Sequence, residues 1–581
     1  MSAMTEVTPM VWLAALILPL LAAAALLVVR APADTAGRAR RGLGLAAELA
    51  TLVPTALLVA APPSGVVRIP FLIGEATFHL DAVGRPMVAV ALVLYAVALA
   101  AVARRRTPRA GELSAFLLVC FAANIATFAA ADVLTFYLAF AALSYAAVGL
   151  VLHGRTAPAR RAAVVYMALA VLSESATLAA LLLVAGAGGT ELADAPAAVA
   201  ASEHGGLIAG LLILGFGVKA GLVPLHVWLP LAHPAAPPAA SAVLSGAMVK
   251  AGVVGWLRFL PLGEVSLPAA GTVLVIAGVV GAFGAVLVGV GQTEPKTVLA
   301  YSTVSQLGYL AIVIGVALAV PRLAPACIAA AVVYAVHHAL AKGAAFLGVA
   351  VWKHQAVGRR RLLVAAGLLV AGTAIVGAPF SSGAVGKYAT KYAIEGVVVL
   401  GVDLVDVLPF VATGSTLLLL RVAVLLHRSQ LEVARNAADP EFLSWLVLVA
   451  ACIPVSWFVA EHWVPVADVP DLDLVTLWDA TWPVLVGLAL GPGAWALRHA
   501  LAGLPVAPAG DLVVVYADAV RAAGRAWADR PRRPGRPGPS GTRVKEESRA
   551  ALVKAEGVVA SWGVGIGATV VLAALLILGG T

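Results

Sequence analysis

Long apolar stretches separated by short polar ones run the length of the chain. Stretches of about 18 or more apolar residues are long enough to cross a bilayer as helices, and roughly sixteen can be counted. They are continuous and do not alternate, which predicts helices and not the strands of a barrel. The predicted fold is an all-α polytopic membrane protein of about 14–16 transmembrane helices. The first expected spans are Met10–Val29 and Gly42–Ala61. Next comes "PPSGVVRIPFLIGEATFHLDAVGRP", whose alternation predicts a short hairpin outside the membrane. Towards the end, "DLVVVYADAVRAAGRAWADR" predicts an amphipathic helix lying along the membrane face. "PRRPGRPGPSG" predicts a flexible linker, and Val558–Leu578 a last span. The start, "MSAMTEVTPM", has no basic n-region, so no cleavable signal peptide is expected.

Composition agrees with this pattern. Of 581 residues, 62% are hydrophobic and 12% charged, too little polar surface for a soluble protein of that length. The net charge of +9 would point to nucleic acid in a soluble chain. Here the basic residues gather in loops, as in "RRRTPR" (Arg104–Arg109), "HGRTAPARR" (His153–Arg161) and "KHQAVGRRR" (Lys353–Arg361). With the N-terminus outside, these loops all fall on the cytoplasmic side of a plasma membrane, the acidic loops fall outside, and the C-terminus ends outside. Arg258 and Arg322 break the rule. A lipid bilayer and not nucleic acid is the expected partner. Cys120, Cys327 and Cys452 lie far apart with no CxxC pair, so neither a metal or iron–sulfur cofactor nor a disulfide framework is indicated.

The informative residues are the polar ones inside apolar runs, because an ionisable group in a bilayer is costly and marks function by default. In "GFGVKAGLVPLHVWLP", Lys219 is followed by Pro224, which removes a backbone donor and breaks the helix. A lysine beside such a break can exchange a proton across a polar cavity; the plainer alternative is a lysine snorkelling from a helix end. Lys250, with Ser241 and Ser245, marks the next span, where a lysine either joins a relay or simply reaches a polar cavity. In "VVYAVHHALAKGAAFLGVAVW", His338 and Lys342 are four apart and share one face, beside His337. These exchange protons and do not make a metal site. "GAPFSSGAVGKYATKYAIEG" repeats the break, with Pro379, Ser381 and Ser382 before Lys387. Paired interrupted helices point to an inverted-repeat transporter. Lys391 and Glu395 fit a surface i,i+4 pair, and Asp132 a helix cap. Glu174, deep in "YMALAVLSESATLAALLL", needs a partner, and Lys219 is the best candidate.

The segments "GLVPLHVWLPLAHPAAPPAASAVLSGAMVKAG", "KTVLAYSTVSQLGYL" and "HALAKGAAFLG" resemble the antiporter-like membrane subunits of proton-pumping NADH:quinone oxidoreductase, Mrp cation/proton antiporters and energy-converting hydrogenases, over about Asp81–Arg428. The resemblance implies two inverted five-helix repeats, 111–260 and 261–430, with discontinuous helices seven and twelve. Spans one to three occupy 1–110, helices fourteen and fifteen 431–500, and the amphipathic segment and linker 501–557. The terminal helix occupies 558–581. It implies a proton relay of Lys219, Lys250, His338, Lys342 and Lys387, supported by Pro224, His226, His337, Pro379, Ser381 and Ser382. It also implies other membrane subunits, and in redox-driven members a peripheral redox arm, as partners, with protons moved and Na+ or K+ exchanged in some members. The expected role is a proton-translocating subunit of a redox-driven complex. The alternatives are an Mrp-type antiporter subunit or the membrane half of an inorganic-carbon uptake pair, and a structural subunit that no longer conducts. One departure stands out. The family's fifth helix usually carries a glutamate in a pattern like F-x-x-x-W-E, whereas "FYLAFAALSY" has Phe140 and Ala141 there. The candidate replacement acid is Glu174.

Overall fold

The computed structural model describes residues 2–28, 38–103, 109–429, 431, 440–464, 468–471, 473–496 and 507–513. The chain opens with α1 (Ser2–Val28), α2 (Arg38–Ala50) and α3 (Val53–Ala60), then a hairpin of β1 (Val67–Arg68) and β2 (Thr77–Phe78). That hairpin, antiparallel with Val67 opposite Phe78, is the one the alternating segment predicts. There follow α4 (Gly84–Ala103), α5 (Ala110–Ala129), α6 (Val133–Leu152), α7 (Ala157–Gly186), α8 (Ala195–Ala201), α9 (Gly205–Ala220), α10 (Trp228–Ala235), α11 (Pro238–Val243) and α12 (Lys250–Phe259). Next are α13 (Pro268–Val290), α14 (Pro295–Ala319), α15 (Ala324–Gln355), α16 (Arg360–Val376) and α17 (Ser382–Ala393). A second small hairpin, β3 (Val398–Val399) and β4 (Val402–Asp403), leads to α18 (Leu404–Val407), α19 (Phe410–Arg428), α20 (Pro440–Ala451), α21 (Val455–His462) and α22 (Leu474–Ala496).

Among the described residues, twelve helices are long and apolar enough to cross a membrane, thirteen with the bent pair α20–α21. The protein is a polytopic all-α membrane protein. Two of the spans expected from apolar runs and not counted here can be traced in the chain. The run expected to span Gly42–Ala61 is divided between α2 and α3 and leaves only a short apolar helix, Gly44–Ala60. The expected amphipathic helix from Val514 onward, the linker and the span Val558–Leu578 lie outside the described residues.

Burial ranks the helices. The span Pro238–Phe259 is wholly buried and Pro295–Ala319 is 94% buried, whereas Leu474–Gly493 is 11% buried, so α11, α12 and α14 form the centre and α22 the rim. The glycine-rich run in α13 serves packing: Gly278 meets Gly308 of α14, and a Cβ on either would fall 2.6 Å from the other's carbonyl oxygen. Arg258, an exception to the basic-loop pattern, is neutralised from across the chain. Its Nη2 donates to Asp81 Oδ1 at 2.8 Å and its Nη1 to Asp81 Oδ2, a bidentate pair. Burial pushes the Asp81 carboxyl up, but the charge and hydrogen bonds of Arg258 and the Gly84 amide outweigh it and hold Asp81 below the ordinary aspartate value.

Candidate functional site

The two breaks anticipated from Pro224 and Pro379 are built alike. α9 closes on Gly221 at φ 71° and α16 on Gly377 at φ 79°, a left-handed conformation that suits glycine. At the first, Leu222 N–H reaches Gly217 O at 2.8 Å and Gly221 N–H reaches Val218 O at 3.1 Å. At the second, Ala378 N–H reaches Thr373 O at 3.0 Å and Gly377 N–H reaches Ala374 O at 3.2 Å. Both are Schellman closures, and each leaves the electronegative end of a half-helix inside the protein, where a cation is favoured. A lysine supplies that cation at each break, from opposite sides. Lys219 belongs to the last turn of α9 itself. Lys387 lies beyond the break on α17 and reaches back, its Nζ donating to Val376 O at 2.6 Å.

Lys219 is buried, and its Nζ donates to the hydroxyl of Ser144 on α6. The same hydroxyl bonds Glu174 Oε1 on α7. Glu174 and Lys219 are therefore brought together through Ser144, which stands three residues past Ala141. The Lys219 ammonium also lies 4.9 Å from the centroid of the Phe140 ring. A tight crossing of α7 and α9 fixes this geometry. Ser173 Oγ donates to Gly215 O at 2.7 Å, and a Cβ on Gly215 would meet Thr177 N at 2.9 Å.

Deeper in the centre, a π-helical turn, Leu244–Met248, precedes α12. Such a turn shifts the hydrogen-bond ladder and frees backbone groups. Lys250 Nζ donates to Ser245 O at 2.7 Å and lies 2.6 Å from His338 Nδ1. Ser245 Oγ is in turn 2.9 Å from Thr303 Oγ1. His338 and Lys342 share a face of α15 but not a bond: Lys342 Nζ turns to Leu299 O at 3.1 Å. His337 faces another way, edge-on to Tyr334 with ring centroids 4.7 Å apart and close to Gly386 of α17.

Residues 130–390 match the family described as NADH:quinone oxidoreductase/Mrp antiporter, TM. This region, somewhat less than half of the chain, is similar to the antiporter-like membrane domain of that family. Hydrogenase-4 component B of Escherichia coli is 35% identical over 146 residues, 24% of this chain and 22% of that protein. NADH-quinone oxidoreductase subunit N 1 of Streptomyces griseus subsp. griseus is 31% identical over 317 residues, 51% of this chain and 65% of that protein. The match thus spans less than two thirds of either curated relative. A chain in the structure of the Mrp complex from Dietzia sp. DQ12-45-1b shares the fold, with a TM-score of 0.72 and 22% identity, covering 94% of this chain and 63% of that one.

Around these lysines, the remaining expected residues take structural places. Pro224 leads into a 3-10 turn, Leu225–Val227, that joins the break to α10, and Trp228 Nε1 ties back to Val218 O at 2.8 Å. His226 Nε2 lies 3.2 Å from Asp511 Oδ1, a partner far along the chain. Pro379 sits in the second break, Ser381 caps α17 by accepting from Ala384 N–H, and Ser382 N–H donates to Cys452 O at 3.3 Å. Asp132 caps α6, accepting from Thr135 N–H at 2.7 Å. Lys391 does not pair with Glu395; its Nζ donates to Asp479 of α22 at 2.6 Å, across the cavity between the two helices.

Sequence reasoning passed over three polar groups of this domain. Ser144 was hidden in an apolar run, where a serine ordinarily bonds its own helix. Lys296 resembled a loop cation, yet its Nζ binds Pro234 O at 3.1 Å and Ala236 O at 2.6 Å, holding the end of α10. Tyr309 bonds Thr390 Oγ1 at 2.7 Å across α14 and α17, one turn from Lys387.

Proposed function

We propose that this chain is a proton-translocating, antiporter-like subunit of a multi-subunit, redox-driven membrane complex of the NADH:quinone oxidoreductase or hydrogenase type. The observation that carries the proposal is the buried chain of acid, hydroxyl and ammonium formed by Glu174, Ser144 and Lys219. A buried ammonium is tolerated when a carboxylate is coupled to it, and loses that support when the carboxylate is neutralised. Protonating Glu174 therefore releases a proton from Lys219, and ionising it draws one back. The Ser144 hydroxyl has a single proton and two acceptors, Glu174 Oε1 and Phe140 O at 3.1 Å, so its orientation makes or breaks the coupling.

Lys250 and His338, joined nitrogen to nitrogen, form the second station, followed by Lys342 and then Lys387 at the other break. His338 Nε2 and both ring nitrogens of His337 are buried without a partner among the described residues, and water bridging these groups would carry the path towards Lys387. The two interrupted helices would belong to the two inverted repeats. The likeness to hydrogenase-4 component B and to NADH-quinone oxidoreductase subunit N 1 supports a redox-driven complex, in which partner subunits supply the energy.

In vesicles holding the complete complex, Lys219→Ala is expected to abolish proton translocation while the complex still assembles. Normal translocation by that assembled variant overturns the relay.

A further inference from the structure

A cavity of about 360 Å³ lies between α17, α19 and α22, on the face that carries residues 394–409. It runs from Lys387 past Tyr388 to Lys391, Glu395 and Asp479. Lys219, Lys250 and Lys342 are buried, whereas Lys387 is only half-buried, and this cavity is what reaches it. Its two walls are joined at one polar point. Lys391, one helical turn beyond Lys387 on α17, donates from Nζ to Asp479 Oδ2 on α22 at 2.6 Å. The side chains of Lys391 and Asp479 are 36% and 44% exposed, so the pair stands at the mouth and not in the depth.

The acidic arm of this pair is on a weakened part of its helix. Pro483 lies inside α22, and its missing N–H is the one that would have bonded the carbonyl of Asp479. The first two turns of α22, started by Asp473 accepting from Thr476 N–H at 2.8 Å, are thereby joined to the rest by one backbone hydrogen bond fewer. The part after the proline is held separately, through Thr413 Oγ1 donating to Pro483 O at 2.7 Å. Among the described residues α22 is also the least buried of the apolar spans, so little packing opposes a shift of its first turns.

We propose that the Lys391–Asp479 ion pair is the gate of a water-accessible vestibule to Lys387, with Asp479 swinging on the proline-weakened segment of α22. Both gate residues lie past the family-matched region 130–390. The proposal rests on Lys387 as a proton station and adds the device that controls its access to water. With the pair closed, water reaches Lys387 slowly; with it open, Lys387 exchanges protons with the face that carries residues 394–409.

The test is water access, read by labelling. The full chain, with Cys120, Cys327 and Cys452 replaced by alanine, carries Ala384→Cys on the cavity wall and is probed in sealed vesicles of each orientation with a membrane-impermeant methanethiosulfonate. Labelling is expected from the face with residues 394–409. It should be roughly two- to fivefold faster in Asp479→Asn, the range set by a partly exposed ion pair, and unchanged in Asp479→Glu. Lys391→Gln opens the same gate from the other wall and should match Asp479→Asn, which covers the case of one variant failing to fold. Labelling from the opposite face only, no labelling at all, or equal rates with and without the pair overturns the gate. Labelling does not depend on transport, so failure of the relay, seen as normal transport in Lys387→Ala, is a separate result.

Discussion

The two broken helices present the same local problem with two different solutions. Both end a half-helix on a left-handed glycine and both bring an ammonium to its electronegative end. At the first break the lysine is buried, and a carboxylate reaches it through the Ser144 hydroxyl. At the second, the half-buried Lys387 is satisfied by a backbone carbonyl, Val376 O at 2.6 Å, and faces a cavity whose acid, Asp479, is bonded to a different lysine. A helix end can therefore hold an ammonium without an acid. In the proposed relay, the acid at the first break adds control of when the proton leaves.

The largest expected effect comes from separating the two elements of the first region. Gly215→Val forces α7 away from α9, because a Cβ at Gly215 already meets the backbone N of Thr177 and O of Ser173. Overpacking of this kind typically costs about 1–3 kcal/mol. Proton translocation should be lost together with a fall in thermal midpoint, and an unchanged rate would show that the crossing does not set the relay geometry. The second region is held by crossings of its own, Gly383 of α17 against Ala374 O of α16 and Gly386 against Tyr334 of α15, so access measured at Lys387 should not change.

A smaller effect is expected from Ser144→Ala. It removes the go-between while leaving Glu174 and Lys219 in place, and should slow translocation roughly ten- to hundredfold, the value of one hydrogen bond to a charged group. Ser144→Thr, which keeps the hydroxyl, should retain most of the rate. Equal rates in the alanine and threonine variants would remove Ser144 from the relay.

The smallest effect belongs to the frame that both regions share. Burial pushes the Asp81 carboxyl up, but the charge and hydrogen bonds of Arg258, with the Gly84 amide, together hold it below its ordinary value. A depressed carboxyl contributes stability fully above its unfolded value, near about 3.9, and loses it as pH falls through the lower folded value. Asp81→Asn should therefore destabilise the protein by about 1–3 kcal/mol at neutral pH and flatten the acid side of the stability profile. A profile identical to that of the parent would mean that the pair contributes nothing.

Much of the architecture is legible in the order of residues. Apolar runs mark the helices, and Lys219 with Pro224 and Lys387 with Pro379 mark both breaks, because helix chemistry is local. The glutamate absent at Ala141 and the lone Glu174 were also visible, and the structure couples that acid to Lys219. What stayed hidden depends on distant pairing. Lys391 finds Asp479 at a separation of 88 residues, and Arg258 finds Asp81 at 177. No periodicity encodes such pairs. Ser144 is hidden for another reason: its bond to Phe140 O at 3.1 Å is what any helical serine makes, and only the packing of α7 and α9 gives it a second role.

The central claim is that the controlling acid of the first region has moved from α6 to α7. It is tested most directly by moving it back. In vesicles holding the complete complex, Glu174→Gln should reduce proton translocation strongly, and Ala141→Glu added to that variant should restore a substantial part of it. Normal translocation by Glu174→Gln alone would contradict the account.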